Sequence, residues 1–295
     1  MVGLFVVGGV VVVALLIWVG TRPASPPRPR PGHGAKQPLR QFTYEQLKAQ
    51  MAAMAQPALV MQKATTPGFS KLGGEPDLPP SVEWPAGPAG PMGFLLQVDL
   101  AEARAAGGPA WLPSDGALWV FLDDRWEEPD QARVLYAGPG ERVQTTPPIA
   151  VQRAWRYRER FIEFANHRSE PSPNWLGVAV EEADVSDEEM DKLCEKFSDS
   201  LKEHHWIGGY PLEQQEIEMP IAAECAARAL DYYALGVPSD ELREAAKAWR
   251  LLVQFDYDDE LKMKWAGSGH VYVFIREADA LAGDFSRTVT LFDMT

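Results

Sequence analysis

A short block occurs twice in this chain and restricts its fold more than any other feature. Leu72-Gly73-Gly74-Glu75-Pro76 and Ile207-Gly208-Gly209-Tyr210-Pro211 share the order aliphatic residue, Gly-Gly, any residue, Pro. Each is followed by one strand-like segment, "FLLQVDL" or "LLVQFDY", and then by another, "GALWVFLDD" or "GHVYVFIRE". Gly116 aligns with Gly269, Trp119 with Tyr272 and Phe121 with Phe274. Three elements in one order point to internal duplication, with copies over residues 67–125 and 204–293 and two helices interposed in the second. Glycine tolerates positive φ and close chain approach, so Gly73, Gly74, Pro76, Gly208, Gly209 and Pro211 read as a structural corner.

Successive strand residues face opposite ways. Strict alternation puts Leu95, Gln97 and Asp99 on one face of the first copy, and Leu252, Gln254 and Asp256 on one face of the second. Each copy therefore presents a Gln-x-Asp pair from an equivalent position. If the copies pack about a pseudo-twofold axis, the two pairs line one cleft. The alternatives are that they face solvent, or that each Gln hydrogen-bonds its own Gly-Gly loop. "ALWVFL" and "VYVFI" are apolar on both faces and belong in the core.

The remaining elements mix strands and helices without βαβ alternation, which predicts an α+β fold, an internally duplicated mixed-sheet domain over residues 42–295. Thr43 with Gln46, and Ser186 with Glu189, are capping boxes that open helices. Helices are also expected over residues 151–166, 220–235 and 239–249, and a last strand at "RTVTLFD".

Residues 2–20 carry no charge, enough for a helix of roughly 28 Å, near the hydrocarbon thickness of a bilayer. The expectation is a transmembrane anchor over residues 1–21, a Pro-rich linker over 22–41, and a C-terminal body on the cytoplasmic side of a bacterial inner membrane. Arg22, Arg28, Arg30, Lys36 and Arg40 all follow the span, which sets that orientation. The net charge is −14, and with those five residues set aside the rest carries −19. An acidic body disfavours nucleic acid and suits a basic protein partner.

The blocks "SKLGGEPDLP", "GFLLQVDLAE", "LPSDGALWVFLDD", "IGGYPLEQQ" and "LLVQFDYDDELKMKWAGSGHVYVFIRE", with the closing "DFSR", resemble the YwqG-like proteins, a bacterial family of unknown function. The resemblance spans residues 67–292. It implies a mixed α+β fold with internal duplication and an immunity or interaction role, and it implies no reaction, cofactor or catalytic residue. One departure stands out: the family's Gly-Asp after the tryptophan is here Trp265-Ala266-Gly267-Ser268-Gly269.

No metalloprotease, zinc or nucleophile-elbow motif is present. His204 and His205 are adjacent and diverge. The run Asp256, Asp258, Asp259, Glu260 lacks the sixth-position glycine of an EF-hand, since Leu261 stands there, and reads as a solvated strand end. The leading expectation is a membrane-tethered, cytoplasmic, non-catalytic interaction protein. The alternative is a small-ligand-binding protein or enzyme using a cleft between the repeats, with Gln97, Asp99, His205, Tyr210, Gln254 and Asp256 as candidate ligand-binding residues. No cofactor or metal is expected.

Overall fold

The computed structural model describes residues 42–123, 131–151, 156–180, 183–201, 205–213, 217–265 and 269–293. Ten strands carry the architecture: β1 (Gln56–Lys63), β2 (Lys71–Leu72), β3 (Gly93–Asp99), β4 (Ala117–Leu122), β5 (Ala132–Ala137), β6 (Arg160–Ser169), β7 (His205–Gly208), β8 (Trp249–Phe255), β9 (His270–Arg276) and β10 (Val289–Asp293). They form one sheet in the order β10-β9-β8-β7-β1-β6-β2-β3-β4-β5. Reversing that order exchanges each strand of the first five for the strand five places later, so the central β1–β6 pair lies on a local twofold. Both Gly-Gly strands cross over: β2 pairs with β6, and β7 pairs with β1.

The α+β expectation, with its mixed sheet behind a membrane helix, is corrected in two respects. First, every pairing in the ten-stranded sheet is antiparallel. The sheet also curls into a near-barrel, since Ala132 at one edge donates its N–H to Thr290 Oγ1 at the other at 2.9 Å. Residues expected to be helical contribute to it: Arg160–Ser169 is β6, which pairs with β1 from Ile162↔Lys63 to Ser169↔Gln56. The alternation of Arg and aromatic residues there imitates a helical stripe, but pairing with a strand a hundred residues earlier decides. Second, among the described residues no helix is long and apolar enough to cross a membrane. The longest, α3 (Asp187–Leu201), has 15 residues and opens with Asp187, Glu188 and Glu189. Among the described residues the single-pass membrane expectation, and the inner-membrane placement drawn from it, are therefore not supported. The apolar run at 2–20 and the linker lie outside the described residues.

Inside the curl, alternate residues of both halves make one core: Leu118, Val120 and Leu122 of β4 with Val271, Val273 and Ile275 of β9. The intervening residues face outward and are covered separately. Trp119 and Phe121 pack under the 78–92 segment, with Leu78 and Met92. Tyr272 and Phe274 pack under α4 (Met219–Ala227), with Met219 and Ala223. Helix α4 stops well short of residue 235. Ala229 turns to φ 54° and the Leu230 N–H returns to Cys225 O at 2.8 Å, a left-handed C-terminal stop. The expected capping boxes form at α1 (Tyr44–Ala53) and α3.

A β-bulge occurs at the same place in each half, between Phe94 and Leu96 and between Leu251 and Val253. Adjacent Leu95 and Leu96 therefore both enter the common core, as do Leu252 and Val253. Strict alternation fails here: Leu95 does not share the face of Gln97, nor Leu252 that of Gln254.

Candidate functional site

The two glutamines sit on the outward faces of their own halves and do not line a common cleft. Each grips the loop that follows its own Gly-Gly pair. Gln97 Oε1 accepts the N–H of Asp77 at 2.8 Å, and Gln254 Oε1 accepts the N–H of Leu212 at 2.9 Å. The aligned aromatics take the same residues' carbonyls: Trp119 Nε1 donates to Asp77 O at 3.1 Å and Tyr272 OH to Leu212 O at 2.5 Å. Each loop residue after the proline thus has both backbone groups satisfied by one strand pair, as buried backbone requires. The glycines make the approach possible. Gly73, Gly74, Gly208 and Gly209 all have positive φ, and a Cβ on Gly73 would fall within the Arg158 carbonyl.

The aspartates also begin alike. Asp99 N–H donates to Ser70 Oγ at 2.9 Å, and Asp256 N–H to His205 Nδ1 at 3.0 Å. Their side chains then differ. Asp99 caps α2 (Leu100–Ala105) through the N–H groups of Ala101 and Glu102. Asp256 instead joins a buried polar chain. Its Oδ1 lies 2.7 Å from His270 Nε2. Because His205 Nδ1 accepts a backbone proton, the ring carries its hydrogen on Nε2, which faces Asp258 Oδ2 at 3.4 Å. Asp258 in turn holds Arg160 through both guanidinium nitrogens and accepts the Leu261 N–H at 2.9 Å. Burial raises the Asp258 pKa, but the hydrogen bonds from His205 and Arg160 outweigh it and hold the carboxyl well below the usual range. Asp258 is thus a half-buried, ion-paired group and not the solvated strand end its sequence suggested.

Arg160 opens onto a cleft of about 470 Å³. Its walls are residues 63–67 after β1, 158–161 at the start of β6, and 260–261 in the loop after β8. The cleft therefore lies where the two sets of five strands meet. Of the sequence candidates, His205 and Asp256 stand behind this wall and act on it through Asp258, while Gln97, Asp99 and Gln254 do not reach it. Tyr210 lies elsewhere, in a smaller cavity of about 160 Å³ with Trp175 and Trp249, where its hydroxyl donates to Met54 O at 2.7 Å. Lys63, Arg158, Arg160 and Asp258 were not among the candidates. The one local signal was the acidic run after Asp256, which has no equivalent after Asp99.

A family model described as a domain of unknown function, DUF1963, matches residues 70–293. The chain belongs to the DUF1963 family. No curated protein matches it. The DUF1963 match begins at Ser70, the hydroxyl that receives Asp99 N–H, and ends at Asp293 on β10. It takes in both Gly-Gly loops and the His205–Asp258–Arg160 chain, whereas the cleft wall at 63–67 precedes it.

Proposed function

We propose that this DUF1963 chain is a non-catalytic binding protein and that a small ligand occupies the cleft between its two halves. The supporting observation is that one cleft wall, Arg160, is fixed from behind by Asp258, which His205 in turn orients. A volume of about 470 Å³ is within the range that small-molecule sites occupy. A rigid charged wall limits the ordering cost of binding. The finer likeness to YwqG-like proteins rests on the motifs and adds no activity to this proposal. The protein-interaction role remains the broader form of the same reading, with the cleft as its contact point.

The test is native mass spectrometry of the full chain purified from its own cells, as wild type and as Thr66→Trp. Thr66 is exposed on the cleft wall, so the larger side chain fills the cleft without entering the core. A small molecule retained by wild type and lost from the variant is the expected result. The same species on both proteins, or a bare chain in both, removes the proposal.

A further inference from the structure

We propose that the junction cleft selects a ligand carrying an oxyanion, a carboxylate or a phosphate; this rests on the cleft being the binding site. The cleft wall holds three cations and two carboxylates, and their pairing decides its sign. Glu159 is engaged by Lys71 Nζ at 3.1 Å, and Glu260 by Arg160 Nη2 at 2.9 Å. Arg160 is further held by Asp258. Among the described residues, Lys63 and Arg158 have no carboxylate within ion-pair distance. Arg158 has only a long bond of 3.4 Å from Nη1 to Glu260 O.

Two uncompensated cations thus face an opening whose carboxylates are already spoken for. This happens in a chain of net charge −14. The local sign is opposite to that of the body, and it opposes the basic partner that bulk charge suggests. A guanidinium offers a planar fork that matches carboxylate and phosphate oxygens, and an ammonium adds a point charge. Thr65 and Thr66 stand in the same wall and add hydroxyl donors. The pairs Lys71–Glu159 and Arg160–Asp258 keep the other charges from competing for the ligand.

The experiment is isothermal titration of the full chain at low ionic strength with pyrophosphate, with citrate, and with spermidine as a cationic control. The same titrations are run on the Lys63→Ala/Arg158→Ala double variant. Both side chains are exposed, so an unchanged melting temperature without ligand establishes that the variant is folded. One oxyanion is expected to bind wild type and to bind the double variant roughly tenfold more weakly or worse, as loss of two charge-assisted contacts requires. Pyrophosphate binding with no citrate binding assigns phosphate, and the reverse assigns carboxylate. Equal binding to both proteins means an adventitious ion only and overturns the proposal, as does binding of spermidine alone or of no probe. If Thr66→Trp still strips a co-purified small molecule while neither anion binds, the cleft remains a binding site and only its anion selectivity falls.

Discussion

The two halves apply one construction to loops that differ by an exchange of neighbours. In the first, the residues after the proline are Asp77 and Leu78; in the second they are Leu212 and Glu213. Polar and apolar residues have traded places. In the first half, Asp77 Oδ2 reaches back to Gln97 Nε2 at 2.7 Å, and the same nitrogen also donates to Phe69 O at 2.7 Å. Leu78 is fully buried in the outer core. In the second half, the Leu212 side chain fills the outer core and offers Gln254 Nε2 no acceptor, so that nitrogen is buried without a partner. The acid, moved one position along, becomes Glu213, whose Oε2 accepts from Ser172 at 2.8 Å while Oε1 has no partner. The backbone geometry is preserved and the side-chain satisfaction is not. Two halves of one construction can therefore keep the same backbone while one of them carries unmet polar groups.

The largest effect is expected from breaking what the halves share. Gly73→Ala and Gly208→Ala each force a Cβ onto positive φ and into fixed neighbours, the Arg158 carbonyl and the Pro109 ring. Each should cost about 3 kcal/mol or more, measured by urea denaturation. A loss confined to one of them would mean that the corners are not equivalent.

Next is the carboxyl group that the second half carries at Glu213. Burial, with the neighbouring Asp293 and Glu218 charges, pushes Glu213 up to about 8 despite the Ser172 hydrogen bond. The folded state thus holds a proton that the unfolded chain releases near the ordinary value of 4.5. This stabilisation is complete below that value and is lost as pH rises through about 8. The fall should be on the order of 2–3 kcal/mol once partial solvent screening is allowed for. Glu213→Gln should flatten that stretch of a melting-temperature profile against pH, and an unchanged slope would assign the dependence elsewhere.

The glutamines give a smaller, direct contrast. Gln97→Leu removes three hydrogen bonds, one to a carboxylate, and should cost about 2 kcal/mol. Gln254→Leu removes one bond and an orphaned donor, and should cost about 1 kcal/mol or less. Equal losses in chemical denaturation would show that the missing partner in the second half has no energetic weight. The smallest effect is at the cleft: Lys63→Ala should leave stability within about 0.5 kcal/mol, because the exposed ammonium has no ion-pair partner among the described residues.

What was legible follows from range. Capping boxes at Thr43 and Ser186 are contacts between residues three apart, and they stand where the sequence puts them. The core strands "ALWVFL" and "VYVFI" are apolar at every position, so no register can expose them. Strand β6 reads as a helix because its pattern is compatible with one and its partner β1 is remote. The sequence leaves Gln97 and Gln254 three places, a common cleft, solvent or their own Gly-Gly loops, and the structure takes the third; nothing local reveals that each half turns its outer face to its own cover. The pair Arg160–Asp258 is separated by 98 residues and carries no spacing rule. His205 and Asp256 are named by the sequence as candidates for a cleft, but not as supports for an arginine.

The sequence alone determined the repeated corner, because only glycine accommodates paired positive φ against another backbone, and it determined which strands must be buried on both faces. Tertiary structure decided the rest: the swap of β2 and β7 across the central pair, the curl that brings β5 to β10, and the cleft. Those depend on which distant segments meet. That is set by the summed burial of two sheet faces and the closure of buried ion pairs, and neither quantity is written in any single stretch of chain.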